Sequence, residues 1–197
     1  MTVLHADSGT AGDANPIGGS FTTLTGFGAL RRVSNTFANA AGSDTDSCAY
    51  VNAVADTADV YVQMRVPTVG GGDGGPFVRA STATGAQVFL QNGGGTDFNL
   101  YLFNGGYTLL DNDAGTYATN DTVRLEIVGT AYVSKQNSTT RNSVSNGTLS
   151  TGRGGMNIYT GATRFDLFEM GDFTSSSSFD VPRNLFNSFA VKRASSY

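Results

Sequence analysis

The residues able to do chemistry are few. The chain has one histidine, His5, one cysteine, Cys48, and no tryptophan. A nucleophile–base relay would have to use His5, which lies in a small, polar opening stretch, so a solvated side chain is expected there. Cys48 can form neither an intrachain disulfide nor a thiolate metal cluster, and beside Ala49 and Tyr50 it reads as a small buried residue. Sixteen acids include only two glutamates, Glu126 and Glu169, far apart in the chain. Retaining glycoside hydrolysis needs two carboxyl groups about 5 Å apart, and neither glutamate has a second beside it. The glycine run from Val69 to Gly75 is followed by no Lys-Ser or Lys-Thr and by no helical pattern, so it reads as a strand connection and not a phosphate cradle.

Two groups of polar residues could hold a ligand. Asp111-Asn112-Asp113, ahead of Ala114-Gly115, gathers oxygens of the kind a hard cation such as Ca2+ takes. The same residues are the commonest turn formers, and no glutamate stands at the twelfth position of a calcium loop, so a structural turn and a cation site are both open. Tyr61, Arg65, Arg79 and Tyr101 are aromatic and planar polar groups opposite the inward residues of their segments. Such groups suit a glycan surface, where a ring stacks on a sugar face, or simply a decorated polar sheet face.

The elements that must position these residues are strands. Ala58 to Val66 alternates, with Val60, Val62, Met64 and Val66 on one side and Asp59, Tyr61, Gln63 and Arg65 on the other. Thr122–Ile127, Gln87–Leu90 and Asn99–Phe103 repeat the period, and Asn104-Gly105-Gly106 is a tight hairpin signal. Thr163 to Met170 carries Phe165 and Leu167 on one face and Phe168 and Met170 on the other, which predicts cover on both sides. Near-absence of Glu and Lys argues against exposed helices, since Lys135 and Lys192 are the only lysines. The expectation is an all-β, antiparallel two-sheet jelly-roll sandwich with extended N- and C-terminal arms.

Along the chain, residues 1–20 read as an arm or lead-in, 20–173 as the sandwich, and 174–178 as a Ser-rich hinge. Residues 179–197 form an apolar segment with Phe179, Leu185, Phe186 and Phe189, which folds back on its own body or docks on another subunit. The formal net charge is −4, with no basic excess for nucleic acid or an anionic membrane, and no apolar run is long enough for a membrane helix. The opening residues Met1 to Asp7 hold neither a basic leader nor an apolar core, so synthesis in a cytosol without export is expected.

A set of segments runs from Ala41 to Tyr50, Ala58 to Val66, Gly75 to Ser81, Leu100 to Leu102, Tyr107 to Leu110, Asn120 to Ile127, Gly152 to Met156 and Phe165 to Glu169. Together they resemble the concanavalin A-like (laminin G-like) jelly roll in the version found in bacteriophage structural proteins and in bacterial modules. The resemblance spans roughly residues 20–173. Some relatives with that fold cleave glycans using a Glu-x-Asp-x-x-Glu strand, which Glu169-Met170-Gly171-Asp172 does not reproduce. What the resemblance implies is a non-enzymatic virion protein of a tailed phage, a capsid decoration or tail component attached through its termini. Its implied partners are other virion proteins and further copies of itself, made in the host cytoplasm, with no resident cofactor. The alternative is a carbohydrate-binding module for host or surface glycans.

Overall fold

The computed structural model describes residues 1–39, 46–71, 73–92, 96–159 and 163–173. Fifteen strands and no helix lie among them. They are β1 (Thr2–Asp7), β2 (Phe21–Thr23), β3 (Leu30–Val33), β4 (Thr36–Asn39), β5 (Ser47–Val51), β6 (Val60–Thr68), β7 (Gly74–Ala80) and β8 (Gln87–Asn92). After them come β9 (Asp97–Phe103), β10 (Tyr107–Ala114), β11 (Asp121–Val128), β12 (Ala131–Gln136), β13 (Thr139–Ser145), β14 (Arg153–Ile158) and β15 (Arg164–Asp172). One sheet is ordered β13-β12-β11-β6-β15-β4-β3, with β1 also on β15; the other is ordered β10-β9-β8-β7-β14-β5-β2. The named strands pair antiparallel throughout, as short connections require.

The sheets face each other across one apolar core. Val62, Leu125 and Phe165 enter it from the eight-stranded sheet, and Val78, Leu90 and Met156 from the seven-stranded one. The alternation of β6 does what its period predicts: Val60, Val62, Met64 and Val66 are fully buried. Asn104-Gly105-Gly106 joins β9 to β10, with Gly105 at φ +76°, a conformation that costs glycine little.

Two regions differ from expectation. β15 is not apolar on both faces. Register shifts between Arg164 and Asp166 and between Asp166 and Glu169 slip the pleat, with Leu167 at φ +47°. Phe165, Phe168 and Met170 thereby all reach the core, while Leu167 is left 46% exposed. The opening stretch, read as an arm or lead-in, carries a strand. β1 pairs with β15 from Thr2 opposite Asp172 to Asp7 opposite Phe168, and Asp7 bonds Arg32 at 2.7 Å. β4 meets β15 only at Phe165, so β1 occupies backbone that would otherwise be a bare edge. Ile17 is also buried, its N–H donating to the Leu30 carbonyl. The hinge 174–178 and the segment 179–197, with Phe179, Leu185, Phe186 and Phe189, lie outside the described residues.

Candidate functional site

The outer face of the seven-stranded sheet is unusual in being apolar. On β7, β8 and β9 the inward residues include Val78, Val88 and Leu100, so Phe77, Phe89 and Tyr101 project outward. They stand opposite one another: Phe77 against Phe89, Phe89 against Tyr101, and Tyr101 against Leu109 of β10. On the other side Phe77 faces Gly155 of β14, which in turn faces Tyr50 of β5. A glycine is required there, because a Cβ would come 2.5 Å from the Phe77 ring and 2.1 Å from the Ala49 carbonyl oxygen. Leu24, Cys48, Phe77, Ala80 and Phe89 form a second buried cluster on this face, with Phe27, Tyr50, Tyr101 and Phe103 packed against it.

Over β8, β9 and β10 the face opens into a cleft of about 620 Å³. Its aromatic walls are Phe27, Tyr101, Phe103, Tyr107 and Tyr159. Tyr101 stacks on Phe89 at 5.6 Å with 23° between the planes, and Phe103 lies 5.0 Å from Tyr107 and 5.3 Å from Phe27. The polar groups are Asp46 and Gln91. The Tyr107 hydroxyl donates to Asp46 at 2.5 Å, and Gln91 donates to Asp73 at 2.9 Å. Burial raises the Asp46 carboxyl above the usual range; the Tyr107 hydrogen bond pulls it back, and the nearby Asp73 charge adds to the rise. The Tyr107 hydroxyl is itself held well above its ordinary value by burial and by Asp46. No lysine or arginine lines the cleft among the described residues.

The four expected surface residues do not converge. Tyr101 alone lies in the cleft. Tyr61 and Arg65 belong to β6, in the other sheet. Tyr61 does face outward, but it is covered: the Arg124 guanidinium sits 3.8 Å above its ring, and its hydroxyl donates to Glu169 at 2.7 Å, leaving 1% exposed. Burial and the Glu169 carboxylate push that hydroxyl up to about 12. Arg65 is engaged by both oxygens of Asp166, at 2.6 and 2.8 Å. Arg79 is buried, donating to the carbonyls of Ala58, Leu149 and Gly129. Its backbone sits at φ +53°, and its role is to tie loops together.

The Asp111-Asn112-Asp113 group does not form the expected turn. Asp111, Asn112 and Asp113 lie in β10 and not on a turn, so the pleat sends Asn112 to the opposite side from the two acids. Asp111 accepts the Ser143 N–H, Asp113 pairs with Arg141 at 3.4 Å, and Asn112 donates to Asn99. The two aspartates join the open edges of the two sheets, β10 to β13, while Asn112 bonds within its own sheet. Among the described residues no group of three His, Cys, Asp or Glu is placed to hold a metal.

Glu126 and Glu169 lie on the outer face of the eight-stranded sheet, away from the cleft. Glu126 is bound by Arg124 and Lys135, and Glu169 accepts from Tyr61 and Gln63. Cleft residues that sequence reasoning passed over include Phe103 and Tyr107. Their signal was the Asn104-Gly105-Gly106 turn, whose register sets them directly opposite each other. Phe27 and Asp46 carried no comparable local signal.

No family model and no curated protein matches the chain. Solved structures do. A carbohydrate-binding module, CBM66 from Bacillus subtilis, aligns with a TM-score of 0.66 at 14% identity, over 78% of this chain and 96% of that one. A Bacillus subtilis protein of unknown function with a galectin-like fold gives 0.65 at 10% identity, over 87% and 96%. A Bacillus licheniformis β-glucanase gives 0.58 at 9% identity, over 85% and 97%. At these identities the likeness establishes the fold, a jelly-roll sandwich of the galectin-like and glucanase-like kind, consistent with the concanavalin A-like resemblance. It carries no phage placement.

Proposed function

We propose that the protein is a non-catalytic carbohydrate-binding module that takes a neutral glycan in the cleft of Tyr101, Phe103, Tyr107 and Asp46. The observation that carries this reading is an aromatic cleft with acceptor and donor groups beside the rings, on the sheet face opposite the shared core. Rings offer an apolar platform for a sugar face, while Asp46 and Gln91 offer hydrogen bonds to hydroxyls. The Asp46 carboxylate and the absence of lysine or arginine from the described lining disfavour uronic or sulfated sugars. The fold likeness to a carbohydrate-binding module supports binding, and the engagement of both glutamates on the other sheet supports binding without turnover.

A glycan array tests it: neutral glycans are expected to bind, with loss on Tyr101→Ala or Tyr107→Ala and no release of reducing ends on prolonged incubation. A blank array, or cleavage, overturns the corresponding half. The placement on a phage virion, attached through residues 179–197 to virion proteins or to other copies of this chain, is supported by the sequence resemblance. Mass spectrometry of purified particles checks it, and particles without this polypeptide overturn it.

A further inference from the structure

We propose that Arg31 and Arg164, on the outer face of the eight-stranded sheet, form a binding site for a phosphate group. The site lies on the opposite sheet from the aromatic cleft and does not depend on glycan binding there.

Strand register sets the two arginines in one row. Arg31 of β3 stands opposite Ala38 of β4, and Phe165 of β15 stands opposite Phe37. One step along the antiparallel β4–β15 pair brings Arg164 beside Ala38. Phe37 and Phe165 enter the core, so the pleat turns Ala38 and Arg164 to the outer side, and Leu30 in the core does the same for Arg31. Two strand spacings, about 10 Å, separate the Arg31 and Arg164 backbones. Only the methyl group of Ala38 stands between them, and two arginine side chains are long enough to bring their guanidiniums together above it.

These two charges are uncompensated. Every other arginine and lysine among the described residues is in an ion pair, at 2.6 to 3.7 Å, and Arg31 and Arg164 are not. Asp166, two residues along β15, is taken at both oxygens by Arg65. The Arg164 guanidinium is held below its ordinary value, first by burial and then by the Arg31 charge, with no carboxylate acting the other way. Both side chains are half-buried, and Arg31 is further fixed by its Nε–H, which donates to the Asn39 carbonyl at 2.8 Å. That bond leaves both terminal nitrogens of Arg31 for a ligand. Like charges held side by side disfavour the folded chain, and an anion between them reverses the sign.

A phosphate monoester carries a charge of about −1.5 to −2 at pH 7 and three acceptor oxygens, which suits two guanidinium forks in charge and in geometry. A carboxylate brings less charge and only two oxygens. Inorganic phosphate and a phosphate carried on a sugar share the chemistry of the site, and the test separates them.

The full chain is titrated at fixed ionic strength with inorganic phosphate and, in a second arm, with glucose 6-phosphate, following the arginine Nε–H signals by NMR. Saturable shifts at Arg31 and Arg164 are expected, and the tighter ligand identifies the source. Affinity is expected to fall on the order of tenfold or more in Arg31→Gln and in Arg164→Gln, and to stay unchanged in Arg153→Gln on the other sheet. Thermal unfolding gives a second reading. Without phosphate, removing either charge is expected to leave the melting temperature equal or higher, and added phosphate is expected to raise it in the natural chain and not in the two variants. No saturable shift with either ligand, or equal affinity in the natural chain and both variants, overturns the site while leaving the cleft reading intact.

Discussion

Tyr107 and Asp46 form the most informative pair of side chains. A hydroxyl 2.5 Å from a carboxylate favours the charged form of the acid, opposing the burial that raises it. Replacing Tyr107 by Phe keeps the ring and removes the donor. The Asp46 carboxyl is then expected to titrate at higher pH, read by carbonyl NMR, and glycan affinity is expected to fall; an unmoved titration would mean that the pair does not form in solution. Tyr61 and Tyr101 offer a second contrast. Tyr61→Ala removes a ring packed beneath Arg124 and is expected to cost about 3–5 kcal/mol of stability, as large aromatic truncations do, with glycan binding unchanged once folded. Tyr101→Ala should cost less stability and weaken binding on the order of tenfold, about 1.4 kcal/mol. Denaturant unfolding and titration calorimetry measure the two effects, and equal loss of binding in both variants would contradict the assignment of faces.

Among elements, β1 carries the chain's one histidine. His5 packs edge-on to Phe21 at 5.6 Å and lies 6.1 Å from Phe168, and burial lowers its pKa from the ordinary 6.5 against the raising effect of Asp7. Arg32, which bonds Asp7, and Asp172, which accepts the Thr2 N–H, are the other charges holding this strand. A histidine whose folded pKa is depressed binds fewer protons folded than unfolded around that value. Its contribution is therefore intact above pH 6.5 and is lost as pH falls through the lowered folded value. Stability measured by denaturant titration is expected to decline over that window in the natural chain and to stay flat over the same window in His5→Leu. A decline of equal size in the variant would place the acid sensitivity elsewhere. In β15 the residues promised a strand apolar on both sides, but two register shifts turn Phe165, Phe168 and Met170 to one core. Bulges follow from the fit to the neighbouring strands, β6 and β1, and no pattern of period two contains them.

At the scale of the whole molecule, a shared apolar core holds the two sheets together, and the chain carries a sparse, slightly acidic net charge of −4. A neutral ligand taken by rings and by hydrogen-bonding side chains carries no charge for salt to screen. Affinity for a neutral glycan is therefore expected to change little between about 0.05 and 0.5 M salt, although the screening length shortens severalfold over that range. A steep fall with salt would point to an anionic ligand and against the cleft chemistry described above. The two faces of the sandwich also divide their work. The eight-stranded sheet spends its outer face on paired charges, Arg124 and Lys135 with Glu126 and Arg65 with Asp166. The seven-stranded sheet keeps its outer face aromatic.

That the chain is built of strands was legible in its residues, because alternation such as Val60-Val62-Met64-Val66 and the Asn104-Gly105-Gly106 turn are local signals with local causes. So was the placement of the two glutamates on different strands, and one cleft residue, Tyr101, was named from its pattern. Which outward residues stay accessible depends instead on the assembled fold. Tyr61 and Tyr101 have the same type and the same outward position in their strands, yet one is sealed beneath Arg124 and the other opens into a cleft. Asp46 and Phe27 join Tyr101 across distances of more than fifty residues, through strand pairing and a tethered loop that no period in the sequence encodes. Local patterning sets the face on which a side chain emerges; what lies over it is supplied by other parts of the chain.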